Sequence, residues 1–138
     1  MASPALNELF NAAIGFAETM LAKEGEFIPF GVSLDAKEQV ALVHGDVGSE
    51  HPASLDVIAL LQSSFQRSAA EGSILAAGVC LDVRVVPPGA ADKSDAVCVR
   101  LAHVSGEAAE VYLPYTGKQP GSHVFGEVFA TEAGAFRL

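Results

Sequence analysis

The sequence predicts an α+β fold: two helices packed on an antiparallel sheet of about five strands, in the order α-β-β-α-β-β-β, with a C-terminal strand or irregular tail. Three observations carry this. Apolar residues recur at helical spacing in two stretches, near residues 4–24 and from Ser54 to Gly72. Elsewhere apolar and polar residues alternate with period two, as strands require. Short polar turns separate the alternating stretches, so consecutive strands can pair side by side.

The first helix opens at Ser3-Pro4, an N-cap followed by proline at the first helical position. Leu6, Leu9, Phe10, Ala13, Ala17, Met20 and Leu21 form its stripe, and Gly25 stops it. Ile14 and Phe16 widen that stripe, which points to contact on a second side, from the chain itself or another subunit. In Phe27–Leu34, Ile28, Phe30, Val32 and Leu34 alternate onto one face of a strand. Pro29 has no N–H for a ladder, so this strand starts irregularly or lies at an edge. Asp35–Glu38 is a polar turn, Gln39–His44 a returning strand, and Gly45–Pro52 a loop.

Ser54 caps the second helix and Asp56 suits its dipole. Leu55, Ile58, Leu61, Phe65 and Ala69 make its buried stripe, and Gly72 ends it. A three-stranded meander follows. Leu75, Ala77, Val79, Leu81, Val83 and Val85 face one way, and Cys80, Asp82 and Arg84 the other. Val97, Val99 and Leu101 face in, with Cys98 and Arg100 out; Val111 and Leu113 face in, with Glu110 and Tyr112 out. This is the pattern of a sheet with one face under helices. Thr116–Ser122 is a connector, and the tail from His123 brings Phe125, Phe129 and Phe136.

The chain has 138 residues, about one domain's worth, and half of them are hydrophobic. That excludes a disordered tail, a collagen-like repeat and a disulfide scaffold. With 17 acidic and 8 basic residues the net charge is −9, which argues against a sequence-independent grip on nucleic acid. The excess is concentrated: residues 1–56 hold nine acids and two bases, residues 57–138 eight acids and six bases. No run reaches the ~20 apolar residues of a membrane-spanning helix. The N-terminus has no basic stretch before its apolar residues, so a cytoplasmic location with reduced thiols is expected.

Three segments carry a resemblance: F-I-P-F-G at Phe27–Gly31, V-Y-L-P-Y at Val111–Tyr115, and F-G-E-V-F-A at Phe125–Ala130. The chain resembles a group of small uncharacterised bacterial proteins, each one short domain with a PFG segment after the first helix and an LPY strand end. It departs from them at Glu38, where such a turn calls for glycine. The resemblance implies a bacterial cytoplasmic protein and supplies no activity. The element order is also similar to profilin-like and roadblock-type domains, though these usually add a last helix.

Few constellations suggest chemistry. His44, Asp46, Glu50 and His51 share one loop, but their spacing matches no zinc or calcium loop, so no metal or other cofactor is expected. Cys80 and Cys98 fit no CxxC motif and read as packing residues facing an interface or the tail. His103 reads as a core or edge residue. Asp82, Arg84, Arg100, Glu110 and Tyr112 read as one outer sheet face, explained either by cross-strand charge pairing or as a recognition surface for an anion. Gly31 marks a bulge or a close backbone approach. The candidate ligand-binding residues are Phe30, Arg84, Arg100 and Tyr115.

No GxSxG, P-loop or GxGxxG motif is present, so an enzyme is disfavoured. The expected function is a non-catalytic binding or protein-interaction domain that self-associates as a homodimer. One alternative is a small-ligand-binding protein or enzyme with a pocket near the PFG and LPY segments. Another is an immunity-type inhibitor that meets a basic target through its acidic half.

Overall fold

A computed structural model describes residues 3–46, 48 and 53–138. Its elements are α1 (Pro4–Glu24), β1 (Phe30–Asp35), β2 (Val40–Val43), α2 (Ser54–Ala70), β3 (Ile74–Val85), β4 (Ser94–His103), β5 (Ala108–Thr116), β6 (Val124–Phe125) and β7 (Phe129–Thr131). The sheet runs β2-β1-β3-β4-β5, and both β6 and β7 pair with β5. Every pairing is antiparallel. The α+β class and element order are as the sequence predicts, and the tail supplies two short strands followed by an irregular end.

Helix α1 forms as expected. The Ser3 hydroxyl accepts the Leu6 N–H, and Gly25 closes the helix in the left-handed conformation at φ 77°. Leu6, Leu9, Ala13, Ala17 and Leu21 are completely buried. Each leucine so covered contributes roughly 1.5–3 kcal/mol. Helix α2 begins at Ser54 with Ala53 at the cap, so Ser54 does not cap it through its side chain. Leu55 is not in the buried stripe: it is 79% exposed, in the first turn on the shoulder of that stripe. Val57, Ile58, Leu61 and Phe65 are the buried set.

The register corrects the predicted faces. Val79 stands opposite Arg100, Cys80 opposite Val99, and Leu81 opposite Cys98. Paired residues of an antiparallel ladder share a face. Cys80, Asp82 and Arg84 therefore lie with Val97, Val99 and Leu101, while Val79 and Leu81 lie with Cys98 and Arg100. The sheet carries one helix on each side. Under α1 lies a core of Phe30, Val32, Leu34, Cys80, Val97, Val99, Leu101, Leu113 and Tyr115. Under α2 lies a second core of Val79, Leu81, Cys98, Ala102, Ile74 and Phe136. Alternation fixes faces within a strand, but the parity between strands depends on register, and one residue of slip reverses it.

Local details follow from backbone chemistry. β1 starts at Phe30, one residue after Pro29, and is an interior strand. Ile28 precedes it and is 58% exposed, so it does not extend the buried face of Phe30, Val32 and Leu34. Gly31 faces α2: a Cβ there would collide with the Phe65 ring. The close backbone approach read from the sequence is therefore the seat of a phenyl group. At the hairpin turn Glu38 takes φ 62°, the conformation that favours glycine. Among the described residues no helix is long and apolar enough to cross a membrane.

Candidate functional site

The ends of β3, β4 and β5 meet on the α1 side in a polar cluster. Asp82 comes from β3, Asp95 from the start of β4, and Tyr115 from the end of β5. The Tyr115 hydroxyl donates to Asp82 Oδ1 at 2.8 Å. Asp95 accepts from Arg84 at 3.0 Å and lies 3.7 Å from the Lys118 ammonium. A cleft of about 250 Å³ opens beside them, lined by Gly25, Glu26, Gly117 and Lys118 together with Tyr115 and both aspartates. The His123 ring meets Tyr115 edge-on at 5.4 Å, and its two nitrogens are buried without a hydrogen-bond partner.

The electrostatics define what this cluster can do. Asp82 keeps solvent contact, yet packing around its carboxyl removes enough water to raise its pKa, against the Tyr115 hydrogen bond that lowers it. Burial first, then Asp82, pushes the Tyr115 phenol well above its ordinary value. A phenol so held keeps its proton at neutral pH and serves as a donor. The carboxylates are already engaged, Asp82 by Tyr115 and Asp95 by Arg84 and Lys118. The arrangement is a clasp joining three strands and the Lys118 turn.

Of the four candidate ligand-binding residues, Arg84 and Tyr115 meet around this clasp. Phe30 lies in the α1-side core, 1% exposed, with its ring 4.8 Å from Phe16 and 5.9 Å from Phe27. It does not line the cleft. Arg100 is on the opposite face, where it donates to Gln62 Oε1 of α2 at 3.2 Å. Glu110 and Tyr112 share that opposite face, hydrogen-bonded to each other at 3.1 Å. The predicted single outer face is therefore two faces. The sequence does not single out Asp95 and Lys118, because both lie at loop boundaries, where charge ordinarily signals solvent.

The remaining candidates resolve individually. Among the described residues no three His, Cys, Asp or Glu side chains converge as a metal set. His44 packs edge-on against Phe16 at 5.8 Å, and Asp46 accepts the Gly48 N–H at 2.8 Å. Ser49, Glu50 and His51 lie outside the described residues. His103 is half-buried at a strand end, its Nδ1 accepting the Ser105 N–H at 3.0 Å. Cys80 and Cys98 are both buried, one under each helix. A second hollow of about 430 Å³ lies between Pro87–Pro88, Pro114 and Gly126–Phe129, with Glu127 as its lone charged group.

The two sheet edges differ. β5 is covered by β6 and β7, whereas among the described residues β2 pairs only with β1. β2 reads Val40-Ala41-Leu42-Val43, and its first three residues are exposed, Val40 by 37% and Leu42 by 44%. The Asp35 N–H donates to the Gln39 carbonyl at 3.0 Å, which fixes the hydrogen-bonding phase of the hairpin. Ser33–Ala41 and Gly31–Val43 are then the bonded pairs, and the N–H and C=O groups of Val40 and Leu42 point away from the sheet. No family model matches the chain, and no curated protein or solved structure matches it.

Proposed function

We propose that the protein is a non-catalytic interaction domain that binds its partner by strand addition along β2. The observation that supports this is the edge itself: a wholly apolar strand, largely exposed, with two residues whose backbone donors and acceptors point outward. Natural sheets normally blunt such an edge by keeping it short or with proline, an inward charge or a bulge, because it templates pairing with another chain. β2 is short, four residues, and carries no proline and no charge. Backbone bonds would supply affinity, and the side chains of Val40 and Leu42 specificity. The reading includes a cytoplasmic location, supported by two free thiols packed as small apolar groups.

A synthetic peptide of residues 37–46 is the probe. Added to isotope-labelled protein at high micromolar concentration, it is expected to shift the amides of Val40 and Leu42 and slow their hydrogen exchange. Shifts confined to the Tyr115 cleft, or no shifts at millimolar peptide, would overturn the reading.

A further inference from the structure

The β2 edge is complementary to itself, and we infer that its partner is a second copy of this chain, paired antiparallel about a two-fold axis at Ala41. This inference rests on the strand-addition reading above and names the occupant of the edge.

The geometry leaves few registers. A two-fold perpendicular to the sheet keeps each face continuous, so residues paired across it must point to the same side. Hydrogen bonding adds a second condition: Val40 and Leu42, whose polar groups face outward, must pair with outward-facing residues of the partner. Three registers satisfy both near the centre of β2, with the axis at Val40, Ala41 or Leu42. With the axis at Val40, Leu42 runs past the end of the partner's β2 into its turn, where the backbone leaves the extended conformation at φ 62°. With the axis at Leu42, Val40 runs past the other end, opposite the partner's His44. With the axis at Ala41, Val40 stands opposite the partner's Leu42 and Leu42 opposite the partner's Val40. Both exposed apolar side chains of each copy are then covered at once.

Charge supports the same register. It brings the turn that carries Lys37 to the end of the partner's β2 that leads on to Asp46, twice over by symmetry. Two chains of net charge −9 repel one another, so a stable contact needs cations at the seam, and this register supplies Lys37 at each end. The smallest side chain of the strand, Ala41, sits on the axis, where two copies approach most closely. An isologous interface of this kind closes on itself and gives a dimer, not a filament.

Sedimentation velocity on the full chain tests the dimer, and disulfide trapping tests the register. Two Ala41 residues in a non-hydrogen-bonded pair have Cα atoms about 4.5 Å apart, inside disulfide range. Cys80 and Cys98 are buried and do not compete. Expected are a dimer at micromolar concentration, rapid oxidation of Ala41→Cys to one covalent dimer, and trapping of Val40→Cys slower by about tenfold or more. Leu42→Lys is expected to sediment as a monomer with an unchanged far-UV circular dichroism spectrum. Faster trapping through Val40→Cys would overturn the register. A chain that stays monomeric at high micromolar concentration overturns the second-copy inference alone if the 37–46 peptide still shifts the β2 amides, and overturns the strand-addition reading too if it does not. A dimer that survives Leu42→Lys, with no trapping at position 41, overturns the second-copy inference because the contact then lies elsewhere, and the 37–46 peptide again decides the strand-addition reading.

Discussion

The Tyr115 hydroxyl reaches across β4 to the carboxylate of Asp82 on β3, 2.8 Å away, so a hydrogen bond spans two strand spacings on the α1 side. The bond holds an acid whose protonated form the fold favours. Burial raises the Asp82 pKa above its ordinary 3.8. Between that value and the folded-state value the native protein binds more protons than the unfolded chain. Stability from this group is therefore complete below pH 3.8 and lost as pH rises through the folded pKa. Asp82→Asn keeps an acceptor for Tyr115 and removes the ionisation. Its stability relative to wild type should rise between pH 3.5 and 7, with a gain under about 1 kcal/mol because solvent screens the site. Urea titrations at a series of pH values check this, and a gain that is flat with pH would refute it.

Gly31 and Phe65 are tightly coupled. Gly31→Ala places a methyl group into the Phe65 ring, which is 3% exposed and has α2 behind it. Overpacking of this kind should cost about 1–3 kcal/mol. Phe65→Leu in the same chain opens space for the methyl. The double variant should lose less than the sum of the two single variants in thermal denaturation, a coupling expected only of neighbours.

Glu38 holds a left-handed backbone with a branched-off side chain, at φ 62°. Glu38→Gly relieves that conformation and should stabilise the chain by about 0.5–1 kcal/mol, the strain relieved outweighing the extra chain entropy. Calorimetry in the Leu42→Lys background, where association is removed, reads the shift in Tm. No rise would count against the turn geometry.

The thiols should be inert in the native state. Burial pushes Cys80 well above its usual value, and Cys98 up to about 11. At pH 8 a thiol at about 11 is ionised in roughly one molecule per thousand, before access is considered. A thiol reagent should therefore label neither cysteine in native protein and both in guanidinium chloride. Fast labelling of one thiol under native conditions would show that its helix opens locally.

Much of this architecture is written in local pattern. The α1 stripe, the stop at Gly25, the Pro29 boundary and the polar turn at Asp35–Glu38 each follow from a few adjacent residues. The pairing of faces does not. Cys80 and Cys98 sit at the same phase within their strands, and both strands are apolar on both sides because a helix covers each. Nothing local then says that Cys80 belongs with Val99. The same slip separated Arg84 from Arg100, which divided the predicted ligand face, while Asp82 and Tyr115 came together through a register that only the assembled sheet defines. The open edge is hidden in the sequence for a related reason: Val40-Ala41-Leu42-Val43 has the composition of an interior strand, and its edge position is a property of topology.

The core under α1 draws on β1, β3, β4 and β5. During synthesis α1 is complete at Glu24, but Tyr115, the last contributor from β5, is added roughly 90 residues later. At roughly 5–20 residues per second the nascent helix spends on the order of ten seconds with its leucines uncovered. Of the elements described, α1 is made before the strands that enclose it. Until the meander is made that stripe has no sheet to pack on, so the length of its exposure follows the rate of synthesis.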